Sequence, residues 1–121
     1  MRYLITGGAG FIGSHLSERL IFEGHEVVII DNLSTGRESN LQNIRDDVIL
    51  YKESIETFDF RIENNFCAVI HLAAQPSVPL SIKDFYNSSS SNLLGTIKVI
   101  EFCRIHKIPF VYASSSAVYG G

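Results

Sequence analysis

Tyr3-Leu4-Ile5-Thr6-Gly7-Gly8-Ala9-Gly10-Phe11-Ile12-Gly13 decides how this chain folds. The first four residues are a short apolar run, and four glycines follow within seven positions. From Phe11 to Glu23 the apolar residues Phe11, Ile12, Leu16, Leu20 and Ile21 recur at the spacing of one helix face. A strand, a tight turn and a helix are therefore predicted. Gly24 is placed to stop that helix, and Glu26-Val27-Val28-Ile29-Ile30-Asp31 is β-branched and almost wholly apolar, as a strand covered on both faces must be. The first 31 residues thus read as one βαβ unit.

Working outward, Val48 to Tyr51, Cys67 to Leu72 and Phe110 to Ala113 read as three further buried strands. Polar stretches with weaker helical signals separate the earlier ones, and a long helix is expected from about Asp84 to His106. Strands alternating with helices imply a parallel sheet with helices on both faces. The expected fold is a doubly wound α/β domain of about five strands, one domain spanning residues 1–121. Ser88 to Ser91, a low-complexity patch, reads as a polar helix face or a loose helix start.

Composition narrows the function. Hydrophobic residues make up 45% and charged residues 19%, which excludes intrinsic disorder. Ten Lys and Arg against thirteen Asp and Glu leave a net charge of −3, without the basic surplus that binding a phosphate backbone demands. No nucleic-acid partner is expected, and no membrane partner either, since no apolar run approaches the ~18 residues of a membrane span. A cytoplasmic chain is the expectation. Cys67 and Cys103 lack CxxC spacing and neighbouring histidines, so they read as buried thiols rather than metal ligands, and no metal site is expected.

The glycine turn carries the chemistry. Between a strand and a helix it points free N–H groups and the positive helix end at a pyrophosphate, while a glycine one turn inside lets helix and strand pack closely. Gly7, Gly10, Phe11, Ile12 and Gly13 are the candidate phosphate contacts, with Gly13 in the packing role. Asp31 ends the second strand 18 residues beyond Gly13, where a carboxylate can accept both hydroxyls of an adenosine ribose and repel a 2′-phosphate. NAD is therefore favoured over NADP. Arg37 dissents, because a guanidinium just past this strand could hold a 2′-phosphate.

Thr6-Gly-Gly-Ala-Gly-Phe-Ile-Gly-Ser-His15 resembles the opening of the extended short-chain dehydrogenase/reductases, in their NAD-dependent sugar epimerase/dehydratase branch. The likeness continues through Asp31-Asn-Leu-Ser-Thr-Gly36, His71-Leu-Ala-Ala-Gln75, Asn92-Leu-Leu-Gly-Thr96 and Ser114-Ser-Ser-Ala-Val-Tyr-Gly120. By that resemblance the fold is Rossmann-type and Asn32, Thr35 and Gly36 belong to the ribose-binding loop. Leu72, Ala73, Ala74 and Gln75 then line the cofactor beyond the fourth strand. Asn92 supports that segment, and Gly95 allows close helix–sheet approach. Ser54 and Ile55 stand where many relatives carry an Asp-Ile pair, the Asp accepting the adenine amino group, so adenine recognition is expected to be weaker here. His71 reads as a buried strand histidine rather than a base.

The resemblance also assigns a Ser four residues before the Tyr of the Val-Tyr-Gly segment as the hydroxyl that bridges sugar and catalytic tyrosine. Counting back from Tyr119 gives Ser115 as the catalytic residue and Ser116 as a neighbouring substrate contact. Dehydratases and decarboxylases of this branch carry a Glu two residues before that Tyr, where this chain has Ala117. Without that carboxylate the sequence is more similar to UDP-sugar 4-epimerases, which oxidise at C4 and reduce again, than to dehydratases or decarboxylases. The branch's Tyr-x-x-x-Lys pair is absent from these 121 residues. The chain is accordingly expected to be the N-terminal piece of a longer enzyme acting on a nucleotide sugar, or else a non-catalytic NAD-binding module. The family's helix-bundle dimer implies a homodimer or higher assembly, with Ile97, Ile100 and Phe102 left partly exposed.

Overall fold

A computed structural model describes residues 1–33, 36–62, 65–73 and 82–114 of the chain. Five strands form one parallel sheet: β1 (Arg2–Thr6), β2 (Glu26–Ile30), β3 (Val48–Tyr51), β4 (Ala68–Ala73) and β5 (Phe110–Ser114). Their spatial order is β3-β2-β1-β4-β5. The chain therefore winds outward to β3, then returns past β1 to lay down β4 and β5. The reversal falls between β1 and β4, the position where open α/β sheets leave a crevice beyond their strand ends.

Helix α1 (Phe11–Phe22) and helix α2 (Ile82–His106) lie on opposite faces. The period of two in the strands explains the division. Ile5, Val27 and Ile29 point to the α1 face with Leu41, Ile44 and Val48. Leu4, Val28, Ile30 and Val69 point to the other, against Val99, Phe102 and Cys103 of α2. Burial at ~25 cal/mol per Å² of apolar surface makes these two layers the main source of stability. A cluster of rings reinforces the α2 side, with Phe58, Phe60 and Phe102 in sequence at 5.0 and 4.9 Å.

All five predicted strands are present with ends shifted by one residue at most, and α2 begins two residues before the expected Asp84. The polar connections differ from expectation. Among the described residues they carry 3₁₀ turns, at Glu38–Leu41, Arg45–Asp47 and Phe60–Ile62, in place of α-helices. Their apolar residues are single anchors, Leu41, Ile44 and Phe60, each packed into the core without a continuous stripe. Two surface expectations also need correction. Phe102 is 5% exposed and belongs to the core, whereas Ile97 and Ile100 are exposed at 53% and 45%. Cys103 is buried, which pushes its thiol up to about 11, but Cys67 is only half-buried. Ser88 to Ser91 lie within α2.

Candidate dinucleotide site

The carboxyl ends of the parallel strands share one edge of the sheet, and Gly7, Asp31, Asn32, Leu72 and Ala73 of the predicted residues fall there. Gly7 leaves β1 with φ +74°, a left-handed conformation that favours glycine, and its N–H donates to the Ile30 carbonyl at 2.8 Å. A Cβ at Gly7 would stand 2.7 Å from the Leu72 carbonyl oxygen, so β4 closes against the turn there. Gly13 lies under the turn, where a Cβ would come within 2.7 Å of the Gly8 Cα. Helix and turn can pack this closely only without a side chain.

Gly10 is the N-cap of α1 in extended conformation and offers no side-chain hydrogen bond, and the first turn holds no acidic residue. The N–H groups of Phe11, Ile12 and Gly13 belong to that first turn and have no intrahelical acceptor. They form the positive end of the helix. Phe11 and Ile12 are exposed at 77% and 46%, as apolar side chains at the rim of this turn.

Asp31 follows β2 and is almost completely buried. Its Oδ2 accepts the Ala9 N–H at 3.0 Å and its Oδ1 accepts the Leu33 N–H at 2.8 Å. Each oxygen thus keeps a lone pair for a further donor. Ala9 is tied from its other side as well. Its carbonyl accepts the Arg37 N–H at 3.1 Å and the Asn40 side-chain amide at 2.8 Å. Gly36 fits between, since a Cβ there would be 2.8 Å from Ala9 C and 2.9 Å from Asp31 Oδ2. The loop after β2 is therefore laced to the glycine turn through a single residue, Ala9. Asn40 was not among the predicted residues, and no periodicity marks it. An Asn in a turn nine residues past the strand-end acid is the only sequence signal it gives.

Asn32 donates its side-chain amide to Ser54 Oγ at 3.2 Å, which joins the ends of β2 and β3. Ile55 packs against Gly95 of α2, where a Cβ would stand 3.3 Å from Ile55 Cβ. Leu72 and Ala73 close β4 beside Thr6 and Gly7. Asn92 lies in α2. Thr35, Ala74, Gln75, Ser115 and Ser116 lie outside the described residues, as does Ala117.

His71 is 2% exposed on the α2 face of β4. Its Nδ1 lies 2.5 Å from Thr6 Oγ1 and its Nε2 lies 3.0 Å from Thr96 Oγ1. Burial lowers its pKa to about 4, so the ring is neutral at physiological pH. That agrees with a strand histidine and leaves no exposed base at this position. Among the described residues, no group of three or more His, Cys, Asp or Glu is placed to hold a metal, and no helix is long and apolar enough to cross a membrane.

A parallel sheet whose switch point is flanked by a glycine turn, an uncapped helix end and a strand-end carboxylate defines a dinucleotide-binding α/β domain. Residues 3–121 match the profile of the NAD dependent epimerase/dehydratase family, and the chain belongs to that family. A UDP-glucose 4-epimerase of Mycolicibacterium smegmatis is 37% identical over 131 residues, covering 99% of this chain and 41% of that protein. UDP-glucuronic acid decarboxylase 1 of Danio rerio is 32% identical over 122 residues, covering 98% of this chain and 28% of its own length. Among solved structures, the Thermus thermophilus UDP-glucose 4-epimerase in complex with NAD superposes with a TM-score of 0.71 at 38% identity, covering 89% of this chain and 35% of that one. The chain thus spans well under half the length of each.

Proposed function

We propose that this chain binds NAD(H) as the cofactor portion of a nucleotide-sugar 4-epimerase. The observation that carries the cofactor reading is the seat of Asp31. Its carboxylate is oriented by two backbone N–H groups and stands directly beside the free end of α1. The residues present fit a dinucleotide: amides of Phe11, Ile12 and Gly13 for the pyrophosphate, Asp31 for the ribose hydroxyls, Asn32, Thr35 and Gly36 as the loop around that ribose. Ser54 and Ile55 lie toward the adenine, and Leu72, Ala73, Ala74 and Gln75 beyond β4, with Asn92 behind them. When bound, NAD would accept a hydride from the sugar and return it. The chain's own contribution is to bind and orient the cofactor and to place the Ser115 hydroxyl, with Ser116 beside it, at the sugar.

Ala117 favours the epimerase, because removing water or carbon dioxide calls for an acid–base group that alanine lacks. The decarboxylase reading draws support from the zebrafish relative, and a non-catalytic NAD-binding module is the alternative of another class. Assaying the full-length parent with UDP-glucose, UDP-galactose and UDP-glucuronate separates them. Interconversion of the first pair is expected, carbon dioxide release from the third would shift the assignment to the decarboxylase, and NAD binding without turnover would favour the module.

We further propose that the chain, cytoplasmic in the cell, associates through the exposed face of α2. Leu94, Ile97 and Ile105 line a groove of about 670 Å³ shared with Phe58, Phe60 and Phe102. Lys98 and Glu101 also line it, with Arg61 and Asp59 paired at 2.9 Å, a mixture of charge that can complement itself across a two-fold axis.

A further inference from the structure

Thr6, His71 and Thr96 come from three different elements, β1, β4 and α2, and meet in the layer between sheet and helix. Thr6 and His71 are register partners on neighbouring strands, so their side chains share a face. Thr6 is fully buried, and among the described residues its hydroxyl has one side-chain hydrogen-bonding neighbour, Nδ1 of His71. A buried hydroxyl hydrogen needs an acceptor. The Thr6 O–H therefore donates to Nδ1, which leaves the proton of the neutral ring on Nε2, facing Thr96 Oγ1 at 3.0 Å. The direction of both bonds follows from the burial of one hydroxyl.

The ring's neighbours along each chain shape the cofactor site. Thr6 is followed by Gly7, and His71 by Leu72, whose carbonyl closes on Gly7. Thr96 is preceded by Gly95, which packs on Ile55. We infer that His71 is a positioning residue, which in its Nε2–H tautomer links Thr6 to Thr96 and thereby fixes the glycine turn relative to α2 and the Ser54–Ile55 segment. Its effect on cofactor rests on the NAD reading above. The pyrophosphate amides on one side and the adenine-side segment on the other are held at one separation, and a dinucleotide must span that separation.

Titrating NAD into the 121-residue chain and its variants tests this, with thermal unfolding measured in parallel. Thr96→Val, near-isosteric and leaving Nε2–H without its acceptor, should weaken NAD about fivefold to tenfold, and His71→Leu more than tenfold. His71→Gln offers one donor and one acceptor from its amide and should stay within about threefold of the unsubstituted chain. A role in packing alone would give the opposite order, since Leu fills the apolar layer better than Gln. NAD affinity unchanged in both Thr96→Val and His71→Leu overturns the inference. If the unsubstituted chain binds no NAD, the proposed function fails, and the imidazole ¹⁵N spectrum decides the link independently. An Nε2–H protected from exchange, and losing that protection in Thr96→Val, supports it. An Nδ1–H or a freely exchanging ring overturns it, and the same spectrum decides the matter if His71→Leu does not fold.

Discussion

The Ala9 N–H donates to Asp31 Oδ2 at 3.0 Å, so the residue at the heart of the glycine turn orients a carboxylate 22 positions away. The same turn would meet the pyrophosphate, and the same carboxylate the ribose. A 2′-phosphate placed there would face a buried negative charge that cannot turn aside. NAD(H) should accordingly bind at least tenfold more tightly than NADP(H), and Asp31→Asn should narrow that ratio while weakening NAD about tenfold or more, the range for a lost charge-assisted bond. Isothermal titration with both cofactors reads this. Equal affinities, or a preference for NADP(H) that disappears in Arg37→Ala, would show that Arg37 governs the ribose instead.

Asn40 supplies a second handle on the same loop. Its amide reaches the Ala9 carbonyl at 2.8 Å from an exposed position on the Glu38–Leu41 turn, so removing it costs one hydrogen bond and no core packing. Asn40→Ala should weaken NAD about fivefold, the equivalent of ~1 kcal/mol, and lower the melting temperature by only a few degrees. A large loss of stability without loss of cofactor affinity would place Asn40 in the fold rather than the site.

Gly7 and Gly10 sit three residues apart and should respond unequally to alanine. At Gly7 the left-handed φ adds roughly 1–2 kcal/mol of strain, and the new methyl would also press on the Leu72 carbonyl, forcing β4 away from the turn. At Gly10 the nearest atom to such a methyl is the Gly7 carbonyl oxygen at 3.5 Å, an ordinary contact. Denaturant unfolding should show Gly7→Ala strongly destabilised and Gly10→Ala close to the unsubstituted chain. Comparable losses at both positions would contradict the geometry of the turn.

His71 makes stability depend on pH in a defined window. Its pKa is about 4 in the folded chain against 6.5 for an unperturbed ring, so between those values the unfolded chain binds more protons. The contribution is complete above about pH 6.5 and is lost as pH falls toward 4, at no more than ~1.4 kcal/mol per pH unit. Urea unfolding from pH 7.5 to 4.5 should show this slope, and His71→Gln should lack it. The Asp59 carboxylate, held down to about 2 chiefly by its hydrogen bond to Arg61, and the Glu38 and Glu101 carboxylates, lowered chiefly by theirs to Arg45 and Arg104, add a slope only at the acid end of this range, and they add it equally in His71→Gln. A slope that persists in His71→Gln above that acid end would assign it to another group.

The sheet was legible because its strands are continuous apolar runs bounded by glycine or polar residues, and the glycine turn because four glycines cannot be read as helix or core. The connections were not. Leu41, Ile44 and Phe60 anchor their turns singly, and a lone apolar residue among polar ones has no period to reveal it. Phe102 was misplaced for a related reason. It sits on α2 between the exposed Ile100 and Ile105, and only the ring stack with Phe60 shows which way that face turns. Asp31 was found by spacing from the turn, whereas Asn40 and the two threonines around His71 act through hydrogen bonds between distant elements. Such pairs leave no local pattern.

The exposed side of α2 leads to a prediction about assembly. Leu94, Ile97 and Ile105 stand at intervals of three and eight residues, which keeps them on one side of the helix, and they are 60%, 53% and 59% exposed. Exposed apolar patches of several hundred Å² usually find a partner. A second copy of α2 laid antiparallel across the groove would bury the stripe on both chains and bring Lys98 of one near Glu101 of the other, as a two-fold contact requires. Light scattering at low micromolar concentration should give at least twice the monomer mass. Ile97→Glu should return the mass to that of one chain while leaving NAD affinity unchanged, because α2 meets the cofactor site through its opposite face at Gly95 and Thr96. A monomer in the unsubstituted chain, or a dimer that survives Ile97→Glu, would move the interface elsewhere or remove it.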